Sequence, residues 1–390
     1  MIRIDELYDN TFWPWMQQHL PSVRLFYCDP PGHTSVDCLF NHGYDDVPEN
    51  NYIFLHDQEP VDDSLYKQLF KEVITRNAEL AADKYAPLVN GIRTPGNQSG
   101  WPDNYLEKGW PEFGSIIVSE RGEHVKQICK KYKWNSYYYF WHGWAALDWY
   151  RGYDKTFLLK RAEERNPTKT FMSPNRIVGG KRDHRVLFLN EVFKRGLEDN
   201  HISAPRVCPE EGVDISTIAE RYDCVDTFTN ADLPRTFPGE DTQKMASCWL
   251  DNFAAAEDSM FYVPTETVYF GKRLHITEKT FKAIAMEMPF ILVAPAHSLE
   301  YLRSYGFQTF GSEIDESYDE EEDDLIRIQK VGKLLEDINS LSTKEKQHLY
   351  KYCAKIATHN YQHFYGGKFE QALWQEFKGM LAQIERDHAV

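Results

Sequence analysis

Short apolar runs alternate with polar, helix-periodic stretches along most of the chain. SVRLFYCDP (22–30), NYIFLHDQEP (51–60), GSIIVSERG (114–122) and NSYYYFWHG (135–143) each read as a strand that runs into a polar loop. Between them, DSLYKQLFKEVITRNAEL (63–80) and EHVKQICKKY (123–132) carry the period of an amphipathic helix. Strands interleaved with helices predict a parallel sheet covered on both faces. RAEERNPTKTFMSPNRIVGGKRDHR (161–185) breaks the rhythm with two prolines and Gly179–Gly180, and reads as an interdomain linker. Beyond it the alternation resumes. TFMSP and SMFYVPTE (259–266) read as strands, and HRVLFLNEVFKRGLED (184–199) as a helix closed by Gly196. A helix from Thr277, the strand PFILVAP (289–295) and a short helix from Ser298 follow.

This pattern divides the chain into an α/β domain over 1–165 and a second over 171–355. The segment 366–390, with the amphipathic stretch KFEQALWQEFKGMLAQIER (368–386), is expected to pack back as a helix at the junction. A length of 390 residues exceeds what one core usually fills, which agrees with two domains.

Composition narrows the function classes. Apolar residues make up 42% and charged residues 27%, the mix of a soluble globular protein, and no apolar run is long enough for a membrane span. The opening MIRIDELYDNTFWPW is acidic and lacks a signal-peptide core, so a cytoplasmic location is expected. A net charge of −16 argues against a surface built to neutralise phosphates, although it permits a local basic face. The seven cysteines (28, 38, 129, 208, 224, 248, 353) never fall in CxxC spacing, which suits reduced, mostly buried thiols and no zinc site. The acidic run DESYDEEEDD (315–324) has no glycine and no alternation of cation ligands, and reads as a solvated helix start.

Candidate chemistry concentrates in HITEKTFKAIAMEMPFILV (275–293). Thr277 is a good N-cap, Glu278 sits in a first turn where the helix dipole favours a negative charge, and Phe281, Ile284, Ala285 and Met288 share a core face. A helix N-terminus at the end of a loop is where open α/β sheets bind anions. Lys279 suits a phosphate, and Glu278 suits a pair of sugar hydroxyls. The same residues also suit a capped helix with two solvated charges.

FYVPTETVYFGKRLHITEKTFKAIAMEMPFILV (261–293) resembles the C-terminal nucleotide-sugar motif of α1,3-fucosyltransferases and their relatives. In that motif an apolar strand and a glutamate precede a loop, a Thr-Glu-Lys, a helix and a strand. Glu266 matches the first glutamate, and Thr277, Glu278 and Lys279 match the Thr-Glu-Lys. His275 departs from the motif's usual aromatic, and the loop from Glu266 to Glu278 is slightly longer. NRIVGGKRDHRVLFLNEVFKRGLED (175–199) is similar to the entry of the second domain in glycosyltransferases with two Rossmann-like halves. Arg176, Lys181, Arg182 and Arg185 fall within ten positions there, as a diphosphate clamp or as a solvated basic loop. The first half bears only a general likeness to viral glycosyltransferase-like proteins.

The resemblance implies a GT-B-type fold, α/β with two facing Rossmann-like domains and a C-terminal helix crossing the junction. It implies a hexosyl- or pentosyltransferase whose co-substrate is a nucleoside-diphosphate sugar, with no other cofactor. Donor-binding residues would be Arg176, Lys181, Arg182, Arg185, Glu266, Thr277, Glu278 and Lys279. A viral member would act in the host cytoplasm.

Inversion at an anomeric carbon needs a base to take the acceptor proton and positive charge to receive the leaving diphosphate. His56, Asp57 and Glu59 follow a buried strand, and Glu59 or Asp57 is the expected catalytic base. Asp57-Gln58-Glu59 also resembles a degenerate Asp-x-Asp metal motif, but the basic residues favour a metal-independent mechanism. On the acceptor side, His56, Glu120, Trp141, His142 and Trp144 are candidates, the tryptophans as sugar platforms or as core. The acceptor is a glycan or another hydroxyl compound. Two alternatives stay open: glycosylation of a hydroxymethylated base in phage DNA, and a non-catalytic nucleotide- or glycan-binding module.

Overall fold

The computed structural model describes residues 3–20, 24–28, 36–38, 52–61, 115–154, 159–237 and 249–388. The expected helix over 63–80 lies outside them. The chain is a mixed α/β protein that divides into two compact units. One comprises residues 8–139 with 377–390, and the other residues 1–7 with 140–376. The boundary therefore falls at 139/140, and the stretch 161–185 lies inside the second unit instead of linking two.

In the N-terminal unit, helix α1 (Trp13–His19) precedes strands β1 (Arg24–Cys28), β2 (Val36–Cys38), β3 (Tyr52–His56) and β4 (Ser115–Val118); helix α2 (Glu123–Tyr132) and strand β5 (Asn135–Tyr138) follow. The sheet order is β2-β1-β3-β4-β5. The pairs β1–β3, β3–β4 and β4–β5 are parallel, and β2 is an antiparallel edge. Ser115 to Val118 are buried throughout, as expected of a central parallel strand. Val125, Ile128 and Cys129 form the buried face of α2, which ends at Lys133 in the left-handed region. Residues 377–388 of the C-terminal helix belong to this unit: Phe377 packs on Tyr139 (5.2 Å between rings) and Asp387 accepts from Tyr137 Oη (3.0 Å).

The C-terminal unit opens with α3 (Trp141–Trp149). Then come β6 (Lys169–Ser173), α4 (Asp183–Lys194), β7 (His201–Ile202), β8 (Ser259–Tyr262), α5 (Glu278–Ala285), α6 (Asp324–Ser340), α7 (Thr343–Tyr365) and, as far as residue 376, the first part of helix α8 (Lys368–His388). Its sheet is parallel, in the order β7-β6-β8. The expected strand over 289–295 is reduced to parallel bridges, Phe290 with Tyr262 at the end of β8 and Val293 with Thr265 just beyond it. Phe281 of α5 anchors an aromatic core with Phe140, Phe307, Phe364 and Phe369 at 5.4–5.9 Å. Gly143 lets α8 approach α3, because a Cβ there would stand 2.9 Å from the Phe369 ring.

The segment 161–185 is anchored because Glu287, at the end of α5, is buried and collects donors. Arg161 Nη2 (3.0 Å), the Ala162 N–H (3.2 Å) and Thr358 Oγ1 (2.8 Å) all reach its carboxylate. Arg165 adds bonds to the carbonyls of Met286 (2.7 Å) and Glu287 (3.3 Å). Cys129, Cys208, Cys224 and Cys353 are buried free thiols. Among the described residues no helix is long and apolar enough to cross a membrane.

The acidic run 315–324 is only partly a solvated helix start. Glu316 accepts from Thr309 Oγ1 (2.8 Å), and Asp319 is buried, receiving the Leu299 N–H (3.0 and 3.1 Å). Burial pushes the Asp319 carboxyl up to about 6. Asp323 is the N-cap of α6: its Oδ1 accepts from the Leu325 and Ile326 N–H groups, both at 2.9 Å. Asp323→Ala is expected to lower stability by about 1 kcal/mol, read as a shift in the urea midpoint. An unchanged midpoint would show that the cap contributes nothing.

Candidate functional site

The N-terminus of α5 is built around a carboxylate from its own chain. Glu266, which follows β8 and is 0% exposed, receives Thr277 N–H (3.1 Å) and Thr277 Oγ1 (2.6 Å) on Oε2, and Thr280 Oγ1 (2.6 Å) on Oε1. Its main chain donates to the Val293 carbonyl (2.9 Å) and accepts from His184 Nε2 (2.9 Å). A negative group at the helix dipole's positive end is the expected arrangement. Here Glu266 supplies it, so this residue positions the helix and does not face a ligand.

Thr277 caps the helix as expected, its hydroxyl accepting from the Lys279 N–H (3.5 Å). Thr277 and Glu278 are buried. The Lys279 ammonium has three acceptors: Thr267 Oγ1 (3.0 Å), Thr277 Oγ1 (3.1 Å) and Glu278 Oε1 (3.0 Å). Three donors meet three acceptors, which leaves no proton for a phosphate without displacing one. Burial works against the charge of Glu278, but Lys279, His142 and Lys282 outweigh it and hold its carboxyl at about 2. Glu278 is therefore a partner of Lys279, not an open receptor for sugar hydroxyls.

Around this hub the basic loop separates. Arg185 is buried and donates to the carbonyls of Ile177 (2.7 Å) and Thr265 (3.1 Å), bracing the strand end. Burial, with Arg182 nearby, lowers it to about 10, still charged at neutral pH. His184 stacks on Tyr269 (5.0 Å, 10°), and burial with Arg185 beside it holds its ring well below the usual range, hence neutral. Lys181 is exposed and Arg182 half-buried, and Glu211 accepts from the Gly180 N–H (2.7 Å). A side chain at Gly179 would run into that carboxylate. Arg176 points elsewhere, into a cavity it shares with Arg206 and Arg235. These four cations do not form one clamp.

Trp141, His142 and Trp144 are buried in the C-terminal unit, in the hydrophobic layer under α5. Trp144 meets Trp374 edge-on (4.9 Å), Trp141 meets Trp149 (5.9 Å), and His142 meets His275 (4.8 Å). They are core, not sugar platforms. The aromatic count of the sequence could not separate these roles, since both bury large rings.

In the N-terminal unit the loop after β3 forms a different kind of site. Asp57 is 0% exposed, and its Oδ2 receives the hydroxyls of Tyr8 and Tyr139, each at 2.5 Å, while the two phenol oxygens stand 2.8 Å apart. Burial pushes the Asp57 carboxyl from 3.8 up to about 6, although both phenols pull the other way. Three oxygen–oxygen contacts require three protons. Two phenols and an ionised carboxylate supply two, and protonation of Asp57 supplies the third. The loop itself is pinned: Glu120 Oε2 accepts from the Val61 N–H (2.8 Å), His124 donates to the Val61 carbonyl (3.0 Å) and His56 to the Pro60 carbonyl (3.3 Å). His56 and Glu120 are thus loop supports, while Glu59 is half-buried. Tyr8 and Tyr139 went unmarked in the sequence because Tyr8 lies in an opening stretch notable only for its acidity and Tyr139 merely continues a strand.

The chain matches no protein-family model, no curated protein and no solved structure.

Proposed function

We propose that the protein is a glycosyltransferase that moves a sugar from a nucleoside-diphosphate sugar to a hydroxyl acceptor. The reading assigns the donor to the C-terminal unit and the base to Asp57. The observation that carries it is the Asp57 triad: a buried carboxylate beyond a parallel strand, bonded by two phenols and poised to change protonation near pH 6. A carboxylate kept dry at that pKa has the properties of a general base at physiological pH. The resemblance of 261–293 to nucleotide-sugar motifs supplies the donor class.

The proposed relay runs from the acceptor through Tyr8, which is half-buried, to Asp57, which is fully buried. The acceptor hydroxyl gives its proton to Tyr8 Oη as the Tyr8 proton passes to Asp57 Oδ2. The acceptor oxygen then bonds the anomeric carbon, and the bond to the diphosphate breaks with its electron pair on the leaving oxygen. The two-Rossmann arrangement, inversion and independence from metal belong to this proposal.

A panel of nucleoside diphosphates and their sugar conjugates tests it by thermal shift. A matched donor at about 100 times its Kd adds about 2.7 kcal/mol and raises Tm by several degrees. If no conjugate moves Tm and none releases nucleoside diphosphate, the protein is not a glycosyltransferase.

A further inference from the structure

The C-terminal unit holds a cavity of about 340 Å³, within the size range of small-ligand sites. Arg176, Ser203, Arg206, Arg235 and Thr236 line it, with prolines as apolar wall. Arg176 and Ser203 stand just past the carboxyl ends of β6 and β7, the side on which parallel α/β sheets take ligands. Residues far apart in sequence thus converge on one concave surface.

The way the arginines are held gives the cavity its chemistry. Arg206 donates to the carbonyls of Phe228 and Ala231, both at 3.3 Å, and Arg235 donates to the carbonyl of Glu198 at 2.6 Å. Carbonyls orient a guanidinium without cancelling its charge. Among the described residues no carboxylate forms an ion pair with Arg206 or Arg235, although the chain carries sixty acidic residues against forty-four basic ones. Paired planar guanidiniums are suited to bidentate recognition of phosphate oxygens. Lys279 offers the contrast, since all its ammonium protons already have partners within the chain.

We propose that this arginine cavity, and not Lys279, holds the diphosphate of the donor. The assignment rests on the donor reading given above and moves its anion site to Arg206 and Arg235. The remaining volume and the proline walls accommodate the nucleoside.

Isothermal titration of the full chain with inorganic pyrophosphate and with nucleoside diphosphates tests the assignment. Arg206→Gln and Arg235→Gln should each weaken both ligands at least tenfold. Val207→Trp, whose parent side chain lines the rim at 46% exposure and makes no side-chain hydrogen bond, should plug the cavity and have the same effect. Ligand-free melting curves identify any variant that fails to fold, and Val207→Trp then decides. Lys279→Ala should retain pyrophosphate binding within about threefold. Binding that survives all three cavity variants but vanishes in Lys279→Ala overturns the assignment while leaving the donor reading intact. A wild type that binds neither ligand overturns it too. Pyrophosphate bound through the arginines without turnover of any nucleotide sugar upholds the cavity and removes the glycosyltransferase.

Discussion

Replacing Glu266 with alanine is expected to destabilise the C-terminal unit by about 3–5 kcal/mol, one of the largest single-site effects in the chain. Its two oxygens receive three donors, Thr277 N–H, Thr277 Oγ1 and Thr280 Oγ1, and none of these has solvent to turn to. Each buried donor left without an acceptor costs about 1–3 kcal/mol, partly offset where a hydroxyl rotates or water enters the space. Glu266→Gln keeps the shape and one acceptor oxygen, so it should cost roughly half as much. Chemical denaturation of both variants checks this. A residue that only touched a ligand would leave the denaturation midpoint in place and abolish nucleotide binding; a midpoint unchanged in Glu266→Ala therefore sinks the positioning role.

Asp57→Asn should separate catalysis from stability, and in opposite directions. The folded carboxyl titrates near 6 and the unfolded one near 3.8, so between these values the native state binds more protons than the unfolded chain. Wild-type stability therefore falls as pH rises through this window, by about 3 kcal/mol in all, and is flat above it. Asparagine cannot ionise. The variant should gain on wild type across the same window and stay more stable at pH 7, while, on the transferase reading proposed above, losing about 10²- to 10⁴-fold in transfer rate. The wild-type kcat/KM should rise with pH on a limb centred near 6. Urea titrations of both proteins from pH 4 to 8 provide the first test: a stability difference that is constant with pH means Asp57 does not titrate there. Equal background hydrolysis of donor in both proteins favours a non-catalytic binding module. A carboxylate held dry at a cost to folding is a recognised mark of a functional site.

Much of the architecture was legible because it follows from nearest-neighbour physics. The runs at 22–30, 51–60, 114–122 and 135–143 each hold a strand, Thr277 caps its helix, and the period of 184–199 places α4. Of the helices named above, α1, α3 and the 23-residue α7 were passed over, although Ser342 and Glu345 form a capping box for α7 whose spacing is visible in the chain; of the 17-residue α6 only the start was anticipated. The segment 161–185 misled because its prolines and glycines signal irregular backbone. Irregular backbone does not mean a linker, and Glu287 anchors this segment from more than a hundred residues away.

The candidate site was legible in kind and illegible in partnership. Residue type marked Asp57, Glu278, Lys279 and the basic loop as chemistry-bearing, because charge near strand and helix ends is costly to bury and so stands out, and the motif resemblance added Glu266. Which charge meets which depends on distance in space. Glu266 turned out to fill the helix N-terminus that a phosphate was expected to occupy, and Arg185 braces a strand end.

By itself, then, the sequence determined the α/β class, most strand positions and the cap at Thr277, since periodicity and capping act over four residues or fewer. Tertiary structure alone decided that Tyr8 and Tyr139 close on Asp57, that the tryptophans of α3 are core, and that Arg176, Arg206 and Arg235 share one cavity. Hydrogen bonds and desolvation act between atoms in contact, and those contacts join residues that no local pattern relates.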